Sequence, residues 1–281
     1  MPARVATELL VVANETLGGT RLREAVLSKE QTNGEVRVRL VVPQQRPRRG
    51  SLIYVEAVRS AAQVRLELAL AVLEEEGIEA TGQVGDIDPF LATMDAVAER
   101  RPDEIIVSTF PAGTSRWLRR HLIERVAEAT RLPVTHVIDV PAEADVRYDT
   151  SLVVANQTAD SDELRDHLMS LPDWDGAHLF IVVVPQRRRD RAAAGEARAR
   201  LEPVLAHLRE AGLLVAGTIG DPDAFTATIN ALQAFRVDRV IISTLPETRS
   251  GWLRADLIER VRRAATCPVE HVIASDAVAV G

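Results

Sequence analysis

One pattern constrains this chain more than any other: it carries two copies of a single unit. LVVAN ending at Asn14 returns as LVVAN ending at Asn156, and VVP ending at Pro43 returns as VVP ending at Pro185, both shifted by 156 − 14 = 142 positions. Beyond that point the shift is 217 − 82 = 135, carrying GQVGDIDPF (Gly82 to Phe90) onto GTIGDPDAF (Gly217 to Phe225), Trp117 onto Trp252 and PVTHVI onto PVEHVI. The second copy is therefore shorter between its second and third strands, in loop and helix start, where a deletion is tolerated. A period this long makes each copy a domain rather than a solenoid repeat.

Within the first copy, apolar runs near 8–13, 36–43, 79–84, 104–109 and 134–138 have strand length, β-branched residues and turn signals at their ends. Helical segments lie between them. The spacing predicts a helix over 116–130, with Leu118, Leu122 and Val126 on one face, and Leu253, Leu257 and Val261 repeat it. Segment 52–76 reads as a helix ending at Gly77, and its counterpart carries Leu201, Val204, Leu205 and Leu208 before Gly212. Five strands alternating with four helices imply right-handed crossovers and a parallel sheet covered on both faces. The expected fold class is α/β, two tandem doubly wound parallel five-stranded sheets, over residues 1–139 and 150–281. Residues 140–149 lack periodicity and read as a linker.

Composition agrees with this class. At 281 residues the chain suits two domains of ordinary size, with 46% hydrophobic and 27% charged residues. No apolar run approaches the ~20 residues that a membrane-spanning helix needs, and the N-terminus shows no small-residue cleavage pattern, so a cytoplasmic protein without membrane association is expected. The net charge of −7 excludes a globally basic, nucleic-acid-like surface. Positive charge is almost all arginine, spread along the chain, with Lys29 the one lysine. Cys267 is the single cysteine, which excludes an intramolecular disulfide and any cysteine-rich metal site, and it reads as a small hydrophobe.

The order of features resembles the universal stress protein family over nearly the whole of both copies: a first strand ending at Asn14, a long second helix, Gly85-Asp86 after the third strand, then strand, loop, helix and a final PV strand. The resemblance implies a sheet of order 3-2-1-4-5, the adenine nucleotide alpha hydrolase-like arrangement. In nucleotide-binding members of the family, ATP lies between strands 1 and 4. Ligands of open parallel sheets are expected at that reversal on general grounds. The family's ATP motif is glycine, two residues, glycine, nine residues, glycine and a hydroxyl residue. Its places fall here on Val107, Phe110, Arg120 and His121, and on Ile242, Leu245, Ala255 and Asp256, so no position of it survives. The family's aspartate after the first strand is asparagine in both copies. No cofactor is therefore assigned, and ATP or another adenine nucleotide is disfavoured by loss of the glycine motif.

Both copies keep other polar groups at the reversal. A ligand there would be a small anion, or a nucleotide held differently. Its candidate residues are Asn14, Ser108, Thr109, Ser115 and Arg119, with Asn156, Ser243, Thr244, Ser250 and Arg254 in the second copy. Bland readings stand beside these: Ser115 and Ser250 as helix N-caps, Trp117 and Trp252 as packing residues, and Arg119 and Arg254 paired with the chain's own carboxylates. The pairs Asp86/Asp88 and Asp221/Asp223 read as helix caps, with no metal site expected. Arginine clusters at PQQRPRRG and PQRRRDR follow each second strand and read as solvated loops. RNA binding through them is the least favoured reading. His136 and His271 occupy equivalent places in the last strands. Through the resemblance, those strands could pair within the chain as an internal pseudo-dimer, with a further homodimer left open. No Walker A, G-x-S-x-G, H-E-x-x-H or C-x-x-C sequence occurs, nor the paired-histidine or glycine-rich pyrophosphatase motifs of related nucleotide enzymes, so no catalytic residue and no enzyme is expected. The leading expectation is a stress-related regulatory or sensing module. The alternative is a ligand-free scaffold for a protein partner the sequence does not identify, its crevice filled by Phe110 and Leu245.

Overall fold

The computed structural model describes residues 6–17, 19–45, 55–111, 115, 117–118, 121–139, 149–171, 178–246 and 256–275. Two compact units divide the chain, Met1–Arg147 and Tyr148–Gly281. Of the linker expected at 140–149, only Asp149 lies among the described residues, and it opens a strand.

The first unit runs β1 (Thr7–Val12), α1 (Thr20–Asn33), β2 (Val36–Pro43), α2 (Val55–Glu75), β3 (Glu79–Gly85), α3 (Pro89–Glu99), β4 (Glu104–Thr109), α4 (Leu122–Thr130) and β5 (Val134–Ile138). The second runs β6 (Asp149–Val154), α5 (Asp162–Ser170), β7 (His178–Pro185), α6 (Arg191–Glu210), β8 (Leu214–Gly220), α7 (Ala224–Ala234), β9 (Arg239–Thr244), α8 (Leu257–Ala264) and β10 (Val269–Ile273). Sheet orders are β3-β2-β1-β4-β5 and β10-β9-β6-β7-β8, and every pairing is parallel. The two sheets thus share the order expected from the sequence.

Parallel strands with both faces covered must be apolar on both sides, and the central strands show this: Leu9 to Ala13 and Leu152 to Ala155 are almost wholly buried. Along β1 and β4 the side chains alternate between layers. Leu9, Val11 and Ile106 join Leu22, Val26, Ala62 and Leu66 on the α1/α2 side, while Leu10, Val12 and Val107 join Ala92, Ala96, Leu122 and Val126 on the α3/α4 side. In the second unit Val153 and Ile241 pack with Leu164, Leu168, Ala197 and Leu201 on the α5/α6 side.

The glycines of GQVG and GTIG allow close approach of helices on both faces. A Cβ on Gly82 would lie 2.5 Å from Leu66 Cδ1, and one on Gly217 would lie 2.8 Å from Leu201 Cδ1. On the opposite face a Cβ on Gly85 or Gly220 would come within 2.6 Å of the Cβ of Ala92 or Ala227. Arg125 lies over the Phe90 ring at 4.1 Å and Arg260 over Phe225 at 4.2 Å, a cation–π contact between α3 and α4 that α7 and α8 repeat.

One expectation is corrected. The helix predicted over 116–130 begins only at Leu122, because His121 adopts a left-handed conformation (φ 50°) that interrupts the helical path. Trp117 and Leu118 form a separate short turn. Asp256, the equivalent of His121, has φ 51° and starts α8 in the same way.

Replacing Gly85 or Gly220 by alanine forces a methyl group against the methyl of Ala92 or Ala227, which is fixed to its helix, and is expected to cost about 1–3 kcal/mol in urea unfolding. Gly195 of α6 has open space around its Cα, so Gly195→Ala is expected to stabilise by about 0.5–1 kcal/mol in the same measurement.

Candidate ligand site at the strand reversal

In each unit the strand order reverses beside the first strand, and the loops leaving β1 and β4, or β6 and β9, diverge there. The register pairs Val12 with Val107 and Val154 with Ile242, bringing Asn14 and Thr109, or Asn156 and Thr244, to the same sheet edge. Ser108 shares its face with Ile106, toward α1/α2, and Ser243 shares its face with Ile241, toward α5/α6. Both serine hydroxyls are buried without a hydrogen-bond partner. An unpaired buried hydroxyl costs roughly 1–3 kcal/mol, and both units carry one at the same place.

Asn14 is buried, and its side-chain N–H donates to the Pro43 carbonyl, which ties the end of β1 to the end of β2. Its Oδ1 and the nearby Thr16 Oγ1 are buried without partners. Asn156 is only half-buried. Thr109 and Thr244 do not face the serines: alternation turns them to the other layer. Thr109 Oγ1 donates to the Phe110 carbonyl at 2.9 Å and accepts from His136 Nε2 at 2.9 Å, and Thr244 Oγ1 pairs with His271 Nε2 at 2.8 Å. The equivalent histidines thus occupy equivalent structural bonds.

Ser115 acts in a turn, its N–H donating to Pro111 O at 3.0 Å and its Oγ accepting a long 3.5 Å contact from Leu118 N–H. Arg119, Ser250 and Arg254 lie outside the described residues, as does Trp252. Trp117 packs against the cluster of Leu122 and Val126. Phe110 is buried and Leu245 half-buried.

The aspartate pairs cap helices. Asp88 accepts from Phe90 N–H at 2.9 Å and Asp223 from Thr226 N–H at 3.0 Å, while Asp86 and Asp221 hold the N–H groups of Asp88 and Asp223. Among the described residues no group of three His, Cys, Asp or Glu could hold a metal ion. In the arginine loop of the second unit Arg189 pairs with Asp221 at 2.8 Å and Arg188 with Asp190 at 3.2 Å. Residues 46–50 of the first such loop lie outside the described residues.

Helix N-termini at this edge are served by the chain itself. Asp139 crowds Gly19 at the start of α1, where a Cβ would sit 2.2 Å from Asp139 Oδ2. Ser161 caps α5 through Leu164 N–H at 3.2 Å, with Asp162 and Glu163 in its first turn. An anion has little to gain at either terminus. Sequence reasoning missed Glu15 and the arginines Arg65 and Arg200. Their signal lay in the repeat, since each arginine immediately precedes the leucine that meets the third-strand glycine.

Burial lowers the His136 pKa from its usual 6.5, with Glu124 pulling the other way, and burial aided by Arg262 lowers that of His271. A depressed histidine pKa favours the neutral folded form. Its contribution is therefore intact above about pH 6.5 and is lost as pH falls through the folded pKa. Unfolding free energy is expected to fall as pH drops below about 6.5, and less steeply in a His136→Gln/His271→Gln variant, as read by urea melts at each pH.

No family model and no curated protein matches the chain. Among solved structures, it is similar to a universal stress protein from Archaeoglobus fulgidus (15% identity, 96% of this chain on 97% of that chain, TM-score 0.34). A candidate universal stress protein from Pseudomonas aeruginosa is 19% identical, with 97% of this chain on 94% of that chain, at a TM-score of 0.30. A functionally unknown protein from Pseudomonas aeruginosa is 16% identical, with 97% of this chain on 93% of that chain, at 0.29.

Proposed function

We propose that this chain is a non-catalytic tandem module with a stress-related regulatory or sensing role, responding to a small anion or to a nucleotide held otherwise than by a glycine loop. The observation that carries this reading is the pair of buried, unpartnered hydroxyls of Ser108 and Ser243 at the strand reversal. A hydroxyl kept dry and unpaired at the place where doubly wound sheets take ligands is poised to bond one. A second reading is a ligand-free scaffold for a protein partner, and the burial of Phe110 beside the first reversal favours it.

Melting temperature separates the two. ATP, ADP, AMP and cyclic AMP are added singly to the full chain at millimolar concentration. A ligand at a hundred times its Kd stabilises the unit that binds it by about 2.7 kcal/mol, a rise of several degrees. The rise is expected for at least one phosphate-bearing ligand and is expected to shrink in Ser243→Ala. If none of the four raises the melting temperature, the scaffold reading leads.

A further inference from the structure

The repeat sets Arg65 of α2 against Arg200 of α6, since each precedes the leucine, Leu66 or Leu201, that packs on Gly82 or Gly217. The two guanidinium groups differ in their surroundings. In the first unit, Glu15 of the loop after β1 accepts from Gln45 Nε2 at 2.9 Å and supplies negative charge to Arg65. Desolvation of that arginine is severe enough to bring its pKa to about 10, even with the charge of Glu15 opposing the fall. The position of Glu15 is Gln157 in the second unit, which is neutral and exposed. There Arg200 Nε and Nη2 are both buried and have no hydrogen-bond partner.

These two atoms form the side-on edge of the guanidinium, the fork that matches two oxygens of one oxyanion. Leaving a charged fork unpaired out of water is more costly than leaving a hydroxyl so. Arg200 stands seven residues, about two turns, before His207, and so on the same flank of α6. That flank faces α5, because Arg165 Nη1 meets His207 Nε2 at 3.2 Å. By the repeat Arg200 takes the place of Arg65, whose guanidinium feels the charge of Glu15 in the loop after β1, so its side chain is directed toward the loop after β6. The carboxylates that follow are engaged: Asp162 and Asp166 with Arg165 at 2.7 and 3.0 Å, and Glu163 with Ser275 N–H at 3.0 Å. Asp160, the remaining one, is exposed. Ser243 faces the same α5/α6 layer and also lacks a partner.

We propose that the second unit alone holds a phosphoryl group, in the fork of Arg200 Nε and Nη2 with Ser243 as a further donor, while the first unit fills its equivalent place with the Glu15 carboxylate. This deepens the ligand reading above and rests on it. The chain then carries one working site and one self-occupied copy.

Isothermal titration of the full chain with inorganic phosphate, AMP and adenosine tests the assignment. One phosphate or AMP per chain is expected, and adenosine is expected not to bind. AMP tighter than phosphate identifies a nucleotide as the source of the phosphoryl group, and equal affinities identify the free anion. Arg200→Met is expected to weaken binding at least tenfold and Arg65→Met less than twofold. Gln157→Glu keeps Arg200 in place and supplies the missing carboxylate, so it should abolish binding and raise the melting temperature. Glu15→Gln should raise the stoichiometry from one to two. Two equal sites in the unmodified chain, or equal losses from Arg65→Met and Arg200→Met, would overturn the asymmetry while leaving the ligand reading intact. Absence of binding by phosphate and by all four nucleotides, AMP among them, would overturn both.

Discussion

Everything in this fold depends on the parallel pairing of β1 with β4, and of β6 with β9. That pairing reverses the direction in which strands are added, so successive crossovers cover opposite faces and each central strand is buried on both sides. Apolar runs such as Leu9 to Ala13 and Ile105 to Val107 satisfy this burial. A polar group inside a strand is bonded, as Ser151 Oγ is to His178 Nε2 at 2.7 Å and Arg39 to the Ala96 carbonyl, and the unbonded hydroxyls of Ser108 and Ser243 lie where strands end. The result is an edge at which Asn14, Ser108 and Thr109 gather, with the loops on either side leading away to opposite layers.

Duplication lets the two units act as controls for one another. Shared features identify what the fold needs: the glycines under α2 and α6, the cation–π contacts of Arg125 and Arg260, the left-handed residues before α4 and α8, and the threonine–histidine pairs. Other contacts keep their place and exchange their chemistry. Glu104 of β4 holds Lys29 at 2.7 Å and accepts from Thr135 at 2.6 Å, whereas its equivalent is Arg239, which pairs with Glu270 at 3.2 Å while Glu270 also meets His167 at 2.8 Å. An acid of β4 with its cation on α1 is thus replaced by a base of β9 with its carboxylate on β10, so a charge at this place has a partner in each unit. Against this background the unequal treatment of Arg65 and Arg200 stands out, because there the partner is lost and the charge retained.

Strand positions and the long second helix were legible in the sequence because each follows from local period, and the parallel pairing follows from the crossover rule, whereas the strand order came only as what the family resemblance implies. The aspartate caps were legible too, since Asp88 and Asp223 precede their helices at N-cap spacing. The start of α4 was not: Leu118, Leu122 and Val126 keep helical spacing, but a left-handed His121 divides them, and period alone cannot register one dihedral angle. Nor could the sequence separate the faces of Ser108 and Thr109. Adjacent hydroxyls look equivalent in a row of letters, yet alternation along β4 gives one an unpartnered place in the α1/α2 layer and the other a bond to a histidine.

The sequence by itself determined that two doubly wound units exist, where their strands lie and that no glycine phosphate loop remains in either, because these are matters of period, residue type and spacing. Only the tertiary structure decided which polar groups are satisfied. Arg65 has the charge of Glu15, 65 − 15 = 50 positions away, beside it, whereas the equivalent place in the second unit holds the neutral Gln157, 200 − 157 = 43 positions from Arg200, whose Nε and Nη2 lack partners. Desolvation makes that difference matter, because a guanidinium nitrogen that water satisfies at the surface needs a partner once it is buried.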